Sequence, residues 1–215
     1  MHFYIITGAS RGLGEAVAKK LLGENNQIYC LSRTFSRHLI TLSEGNGTRL
    51  SYIPCDLSNI GRANETLQHI LEEIRGEDIE SITLINNAGR IDPIRPIDRC
   101  DENEIIKTFN VNLLAPVIFT SSFVRSLSHL DVKKTIINIS STASKKIYDG
   151  LSCYISSKAA LSQFTRCVEE EQKQPANPVK MILFEPGSMD TRMQEKVVQA
   201  AENRSASVLR FRRMR

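Results

Sequence analysis

The sequence has no Cys-x-x-Cys pair and no even set of cysteines: Cys30, Cys55, Cys100, Cys153 and Cys167 are scattered singly. Such spacing indicates neither a disulfide framework nor a cysteine zinc site, and reduced, mostly buried thiols are expected. His2, His38, His69 and His129 also lack ligand spacing, so no metal is expected. No run of about 18 apolar residues is present to cross a bilayer. The amino terminus passes straight into an apolar strand pattern with no charged leader before it. The expectation is a soluble cytoplasmic protein with no membrane partner. Charge of one sign is scarce outside the last twelve residues: the net charge is +4, yet Arg204 to Arg215 hold five arginines and no acid, and the rest sums to −1. A nucleic-acid partner requires a basic face with a reading motif, and the sequence has neither, so none is expected. Residues 201–215 read as a basic, solvated, disordered tail. What is present, 41% hydrophobic residues in a chain of 215, suffices for one domain around one core, placed at residues 1–200.

The stretch richest in chemistry runs from Thr135 to Lys158. Thr135 to Ile139 is a β-branched run that reads as a buried strand; Ser140 and Ser141 follow, and the segment after Leu151 reads as a helix. Residues four apart share a helical face, so Tyr154 and Lys158 point into one space that Ser141 faces across the loop. About one chain in four of this composition carries a Tyr-x-x-x-Lys by chance, so the spacing alone is a weak signal. Its chemistry gives it weight. A free phenol ionises near pH 10, and an ammonium about 4 Å away at an effective dielectric of about 20 is worth about 4 kcal/mol to the phenolate, before desolvation takes some back. Tyr154 then serves as acid or base near neutrality while Ser141 holds a carbonyl oxygen.

From the amino terminus, Phe3 to Ile6 is apolar throughout, as in a strand buried on both faces. Thr7-Gly8-Ala9-Ser10-Arg11-Gly12-Leu13-Gly14 follows and leads into helical spacing at Ala16, Val17, Leu21 and Leu22. Strand, glycine turn and helix in succession let a diphosphate approach a helix amino end. Ile28 to Leu31 is a second strand. Where dinucleotide-binding folds place an acid on the adenosine ribose, this chain has Ser32 and Arg33. Arg33 with Arg11 suits a 2′-phosphate, so NADP(H) is expected over NAD(H). Residues 34–48 are polar, contain Gly45 and Gly47, and read as a loop or frayed helix. Leu50 to Ile53 is a third strand leading to Cys55-Asp56-Leu57, and Ser58 reads as the cap of a helix with apolar positions from Ile60 to Ile74. A fourth strand, Ile82 to Ile85, ends in Asn86-Asn87-Ala88-Gly89. A helical stretch from Asp101 carries Asn112 in its middle, where such a side chain can open the backbone ladder to a water. Val179 to Phe184 is a sixth strand, ended by Pro186-Gly187. The alternation predicts an α/β fold, a doubly wound parallel sheet of Rossmann type in a single domain.

Together these motifs resemble the short-chain dehydrogenase/reductase family over residues 1 to 198, and the phrases Ile5 to Glu15 and Asp190 to Gln194 look most like its benzil reductase and sepiapterin-reductase-like branch. The resemblance implies NADPH-dependent reduction of a carbonyl, such as an aromatic diketone like benzil or a similar ketone, to an alcohol. In that scheme Tyr154 protonates the carbonyl oxygen as hydride reaches the carbon. Lys158 lowers the Tyr154 pKa and holds the nicotinamide ribose, Ser141 positions the carbonyl, and Asn112 fixes a water joining Lys158 to solvent. For the cofactor it implies Gly8, Ser10, Arg11, Gly12, Leu13 and Gly14 in the glycine turn, Asp56 and Leu57 flanking the adenine, and Asn87 on the adenosine side. Thr191 is implied at the carboxamide, and Ala88, Gly89, Pro186, Gly187 and Met189 complete the cofactor set. The substrate is expected over Ser141 and Tyr154, shaped by residues 143–153 and the segment after Gly187.

The departure from the family lies at the end. Members usually continue past the substrate lid into another helix and a last parallel strand, whereas here Val197-Val198 gives way to Ala200-Ala201-Glu202-Asn203-Arg204 and the arginine-rich tail. The chain looks truncated, and a missing last strand is expected to expose a sheet edge and reduce stability. The long helices around residues 101–128 and 151–174 retain the means for a homodimer. The alternative reading is an NADP(H)-binding protein without turnover, a sensor or an inactive remnant whose lid does not close.

Overall fold

Each apolar run expected to be a strand is one. In the computed structural model, which describes residues 1–45, 47–187 and 192–202, the strands are β1 (His2–Thr7), β2 (Asn26–Ser32), β3 (Arg49–Pro54), β4 (Ser81–Asn86), β5 (Lys133–Ile139) and β6 (Lys180–Phe184). All pair in parallel in the order β3-β2-β1-β4-β5-β6. The order reverses between β1 and β4, which leaves a crevice at their carboxyl ends where ligands bind in open sheets of this kind.

Seven helices are described: α1 (Gly12–Lys20), α2 (Arg37–Gly45), α3 (Ile60–Ile74), α4 (Glu102–Phe109), α5 (Ala115–Leu127), α6 (Ser152–Glu171) and α7 (Arg192–Glu202). Both faces of the sheet are covered. On one, Leu67, Ile70 and Ile74 of α3, Phe119 and Phe123 of α5 and Val168 of α6 pack on Phe3, Ile5, Leu84 and Ile136. On the other, Ala18 of α1 and Leu39 of α2 pack on Ile6, Ile28, Cys30 and Ile85. Each large side chain buried in this way contributes about 2 kcal/mol of transfer free energy.

Three local expectations are refined or corrected by the structure. Residues 34–48 hold a true helix, α2, because the Ser36 hydroxyl accepts from Leu39 N–H at 3.2 Å and Leu39 is fully buried. Asn59, not Ser58, caps α3 by accepting from Arg62 N–H; the Ser58 hydroxyl instead donates to Asp56 Oδ1 at 2.8 Å. The stretch from Asp101 is not one regular helix: a π-helical turn, Asn110–Leu114, sits between α4 and α5 with Asn112 inside it. Among the described residues β6 has a neighbour strand only on its β5 side, and Phe184 there is half exposed. No helix among the described residues is long and apolar enough to cross a membrane.

Candidate active site

The turn after β1 is shaped by Gly8 and Gly12, whose φ angles of +69° and +60° favour glycine. Gly14 is required for another reason: a Cβ there would lie 2.4 Å from Asn87 Nδ2 and 2.5 Å from the Gly8 carbonyl oxygen. Asn87 fills that space to good effect. Its amide donates to the carbonyls of Thr7 at 2.9 Å and Gly8 at 3.2 Å, while Thr7 Oγ1 accepts from the N–H groups of Asn87 and Ala88, each at 3.0 Å. The turns after β1 and β4 are thereby joined. Arg11, in extended conformation at the start of α1, makes no side-chain cap, so the positive end of that helix keeps its affinity for an anion. An uncapped helix start with a close-packed glycine turn is the donor set a diphosphate requires.

Across the crevice, β5 delivers the second half of the site. Ser141 opens a short 3-10 turn, Thr142–Lys145, its Oγ accepting from Ala143 N–H at 3.1 Å. Tyr154 and Lys158, one turn apart on α6, are 7% and 3% exposed. Lys158 Nζ donates to the Ile139 carbonyl at 2.7 Å, and Ser140 Oγ donates to the Lys158 carbonyl at 3.1 Å, so α6 is bonded to the carboxyl end of β5. Asn112 is fully buried: its Oδ1 accepts from Arg90 N–H and its Nδ2 donates to the Arg90 carbonyl, both at 2.7 Å, and Nδ2 also donates to Ser157 Oγ at 3.0 Å. Ser157 Oγ in turn donates to the Tyr154 carbonyl at 2.7 Å. Gly89 lies beside these groups: a Cβ there would stand 3.8 Å from Lys158 Nζ and 3.6 Å from Met193 Cε, at ordinary contact distance.

The electrostatics run against the expected activation of the phenol. Burial pushes the Tyr154 hydroxyl above its ordinary value; a hydrogen bond with the Ser141 hydroxyl, not the charge of Lys158, pulls it partly back. Burial likewise pushes the Lys158 ammonium down to about 8. The one-face geometry holds, but the ammonium is held by the Ile139 carbonyl, and in this state Tyr154 is a neutral phenol at neutral pH. Around it lies an apolar wall: Ile91, Ala143, Leu151 and Val197 are buried with Tyr154, flanked by Ile94, Tyr148, Ile155 and Met193.

Residues 2–202 match the short chain dehydrogenase family. The chain belongs to that family. Among curated relatives, it is 36% identical over 211 residues to a benzil reductase ((S)-benzoin forming) of Bacillus cereus, covering 98% of this chain and 85% of that one. It is 37% identical over 214 residues to the Bacillus subtilis protein of the same description, covering 100% and 85%. Among solved structures, a metagenomic short-chain oxidoreductase in complex with NADP superposes with a TM-score of 0.76 at 27% identity, covering 96% of this chain and 92% of the other.

Within this dehydrogenase, the residues singled out from sequence do not all share one place. Ser141 is hydrogen-bonded with Tyr154, one helical turn from Lys158, which stands with Asn112 beside Gly89, and Gly8, Arg11, Gly12, Gly14, Asn87 and Ala88 form the stitched turns. Ser10 and Leu13 are half-buried in the glycine turn. Arg33 and Asp56 are exposed at the carboxyl ends of β2 and β3; the Ser58 backbone N–H holds the Asp56 carboxyl below its usual range, with Arg33 adding to the effect, and Leu57 beside it is buried. Pro186 and Gly187 follow β6, next to Glu185, which pairs with Lys145 at 2.5 Å. Met189 and Thr191 lie outside the described residues. Sequence reasoning missed the clasp of Asn112 on the Arg90 backbone and the burial of Val197 beside Tyr154. The amphipathic spacing of Met193 and Val197, four apart, was the available signal for the latter. A separate recess of about 590 Å³ opens at the amino edge of the sheet, but Lys134 at its base is committed to the carbonyls of Leu127 and Leu130 at the end of α5.

Proposed function

We propose that this protein is an NADPH-dependent carbonyl reductase acting on an aromatic diketone such as benzil, or a similar ketone. One observation carries the reading: a buried, protonated Tyr154 phenol, hydrogen-bonded with Ser141, stands at the carboxyl edge of the sheet inside an apolar wall. The relatives described as benzil reductases and the neighbour solved with NADP support it. The glycine turn and the start of α1 would hold the diphosphate, Arg11 and Arg33 the 2′-phosphate, and Lys158 the nicotinamide ribose. When bound, the reduced nicotinamide supplies hydride.

The remaining work falls to the chain. Ser141 orients the carbonyl oxygen by hydrogen bond, and Tyr154 gives that oxygen its proton, a role for which a raised phenol pKa keeps the proton in place until it is needed. The lysine ammonium, close to neutral pH in its titration, is suited to passing a proton onward. The Asn112 side chain, inside the π-helical turn, is bonded to the Arg90 backbone and to Ser157. Ile94, Tyr148 and Met193, partly buried, offer an apolar surface to an aryl group, with Val197 packed behind them. Because Met193 and Val197 of α7 already pack at this wall, the reading without turnover finds no support in a lid that fails to close. A homodimer through α4, α5 and α6 belongs to the same proposal, with Ile106 of α4 and Leu114 of the π-helical turn exposed.

The test is NADPH consumption with benzil, followed at the nicotinamide absorbance, for the wild type and Tyr154→Phe. The variant is expected to lose roughly 10²-fold or more of kcat, as removal of a general acid does. Full activity in Tyr154→Phe, or a folded wild type inert on a broad carbonyl panel, overturns the proposal. Arg33→Asp is expected to weaken NADPH far more than NADH; equal loss overturns the 2′-phosphate assignment.

A further inference from the structure

The side chains that join the glycine turn to the loop after β2 lie outside every residue assigned so far. Tyr52 of β3 donates its hydroxyl to the Ala9 carbonyl at 3.2 Å, and the Tyr52 phenol oxygen accepts from the Ser36 backbone N–H. Ala9 is fully buried, so its carbonyl has little access to water as a substitute. The Ser36 hydroxyl, itself buried, donates to the Glu15 carboxylate on α1 while capping α2 through Leu39. Phe35 lies edge-on to the Tyr52 ring, with centroids 6.4 Å apart. The loop that carries Arg33 is therefore bonded on one side to β3 and the glycine turn and on the other to α1.

Arg11 and Arg33 are both exposed, and each sits on one of the two segments that this cluster joins. We propose that Tyr52, Ser36 and Glu15 are positioning residues that set the distance between the Arg11 and Arg33 backbones, and so make the chain select a cofactor bearing an adenosine 2′-phosphate. This rests on the NADPH reading above. The physical reason is preorganisation: two guanidinium groups on independent segments must be ordered by the ligand itself, whereas segments already bonded together pay less of that entropy on binding. A ligand lacking the 2′-phosphate makes no simultaneous demand on both arginines, so it gains little from the arrangement. Glu15 acts through its hydrogen bond to Ser36 rather than through its charge, which alone would disfavour a phosphate nearby.

The experiment measures dissociation constants of NADPH and NADH by fluorescence titration for wild type, Tyr52→Phe, Glu15→Ala and Glu15→Gln, with thermal melting to show each variant folded. Loss of one hydrogen bond in the cluster is expected to raise the NADPH constant about fivefold and to change the NADH constant less than about twofold. Glu15→Gln, which keeps an acceptor for Ser36, is expected to stay close to wild type. Equal weakening of both cofactors, unchanged NADPH binding in Tyr52→Phe and Glu15→Ala, or tighter NADPH binding in both Glu15 variants overturns the inference. A wild type without preference for NADPH instead overturns the reading beneath it, which separates the two failures.

Discussion

Replacing Lys158 by Met tests the electrostatics of the pocket directly. Lys158 is 3% exposed, its ammonium is held by the Ile139 carbonyl, and burial lowers its pKa from the ordinary 10.5 to about 8. The sign follows from proton counts. Below pH 8 the ammonium is charged in both folded and unfolded chains, and the folded state bears the full cost of the buried charge. Between pH 8 and 10.5 the folded chain has released this proton while the unfolded chain keeps it, so this site makes stability rise with pH. The integrated gain is about 3 kcal/mol. Met has similar length, no charge and no titration. Urea unfolding of wild type and Lys158→Met, followed by far-ultraviolet circular dichroism at intervals from pH 7 to 10.5, isolates the site, because other titrations cancel in the difference. The wild type is expected to gain about 3 kcal/mol on the variant across that window, with little change below pH 8. A difference flat in pH, or one favouring the variant as pH rises, refutes the argument that burial governs this lysine.

Other outcomes follow from the same contacts. Gly14→Ala places a methyl within 2.5 Å of Asn87 Nδ2 and of the Gly8 carbonyl, so it should cost about 2 kcal/mol in urea unfolding and weaken cofactor binding by calorimetry. Asn112→Ala strips both backbone groups of Arg90 of their buried partner and should cost about 3 kcal/mol, whereas Asn112→Asp should recover the Arg90 N–H bond but not the carbonyl one. Truncation of Val197 to Ala removes methyls buried beside Tyr154 and should cost about 2 kcal/mol in urea unfolding.

Periodicity and turn chemistry carried much of the architecture. The six strands were legible because β-branched and apolar runs of the right length end in small, polar or turn-forming residues, and each forms where that pattern lies. The glycine turn, Ser141 and the Tyr154 and Lys158 pair were legible for the same reason: their relations are local, set by a turn or by one helical repeat. The end of the polar segment after β2 was not, because Ser36 and Leu39 stabilise α2 only when Glu15 and the sheet are there to receive them. The Asn112 clasp was hidden too, since its partner Arg90 is 22 residues away.

By itself, then, the amino-acid sequence determined which segments become strands, where the chain turns, and which functional groups stand at the sheet's carboxyl edge, all properties of neighbours along the chain. Only the tertiary structure decided the charge state at that edge. Helical spacing brings an ammonium beside a phenol, but whether it activates the phenol depends on solvent and on competing acceptors, and those come from Ile139 on another strand and from the enclosing apolar wall. Burial is a property of the whole fold, and burial raises Tyr154 and lowers Lys158.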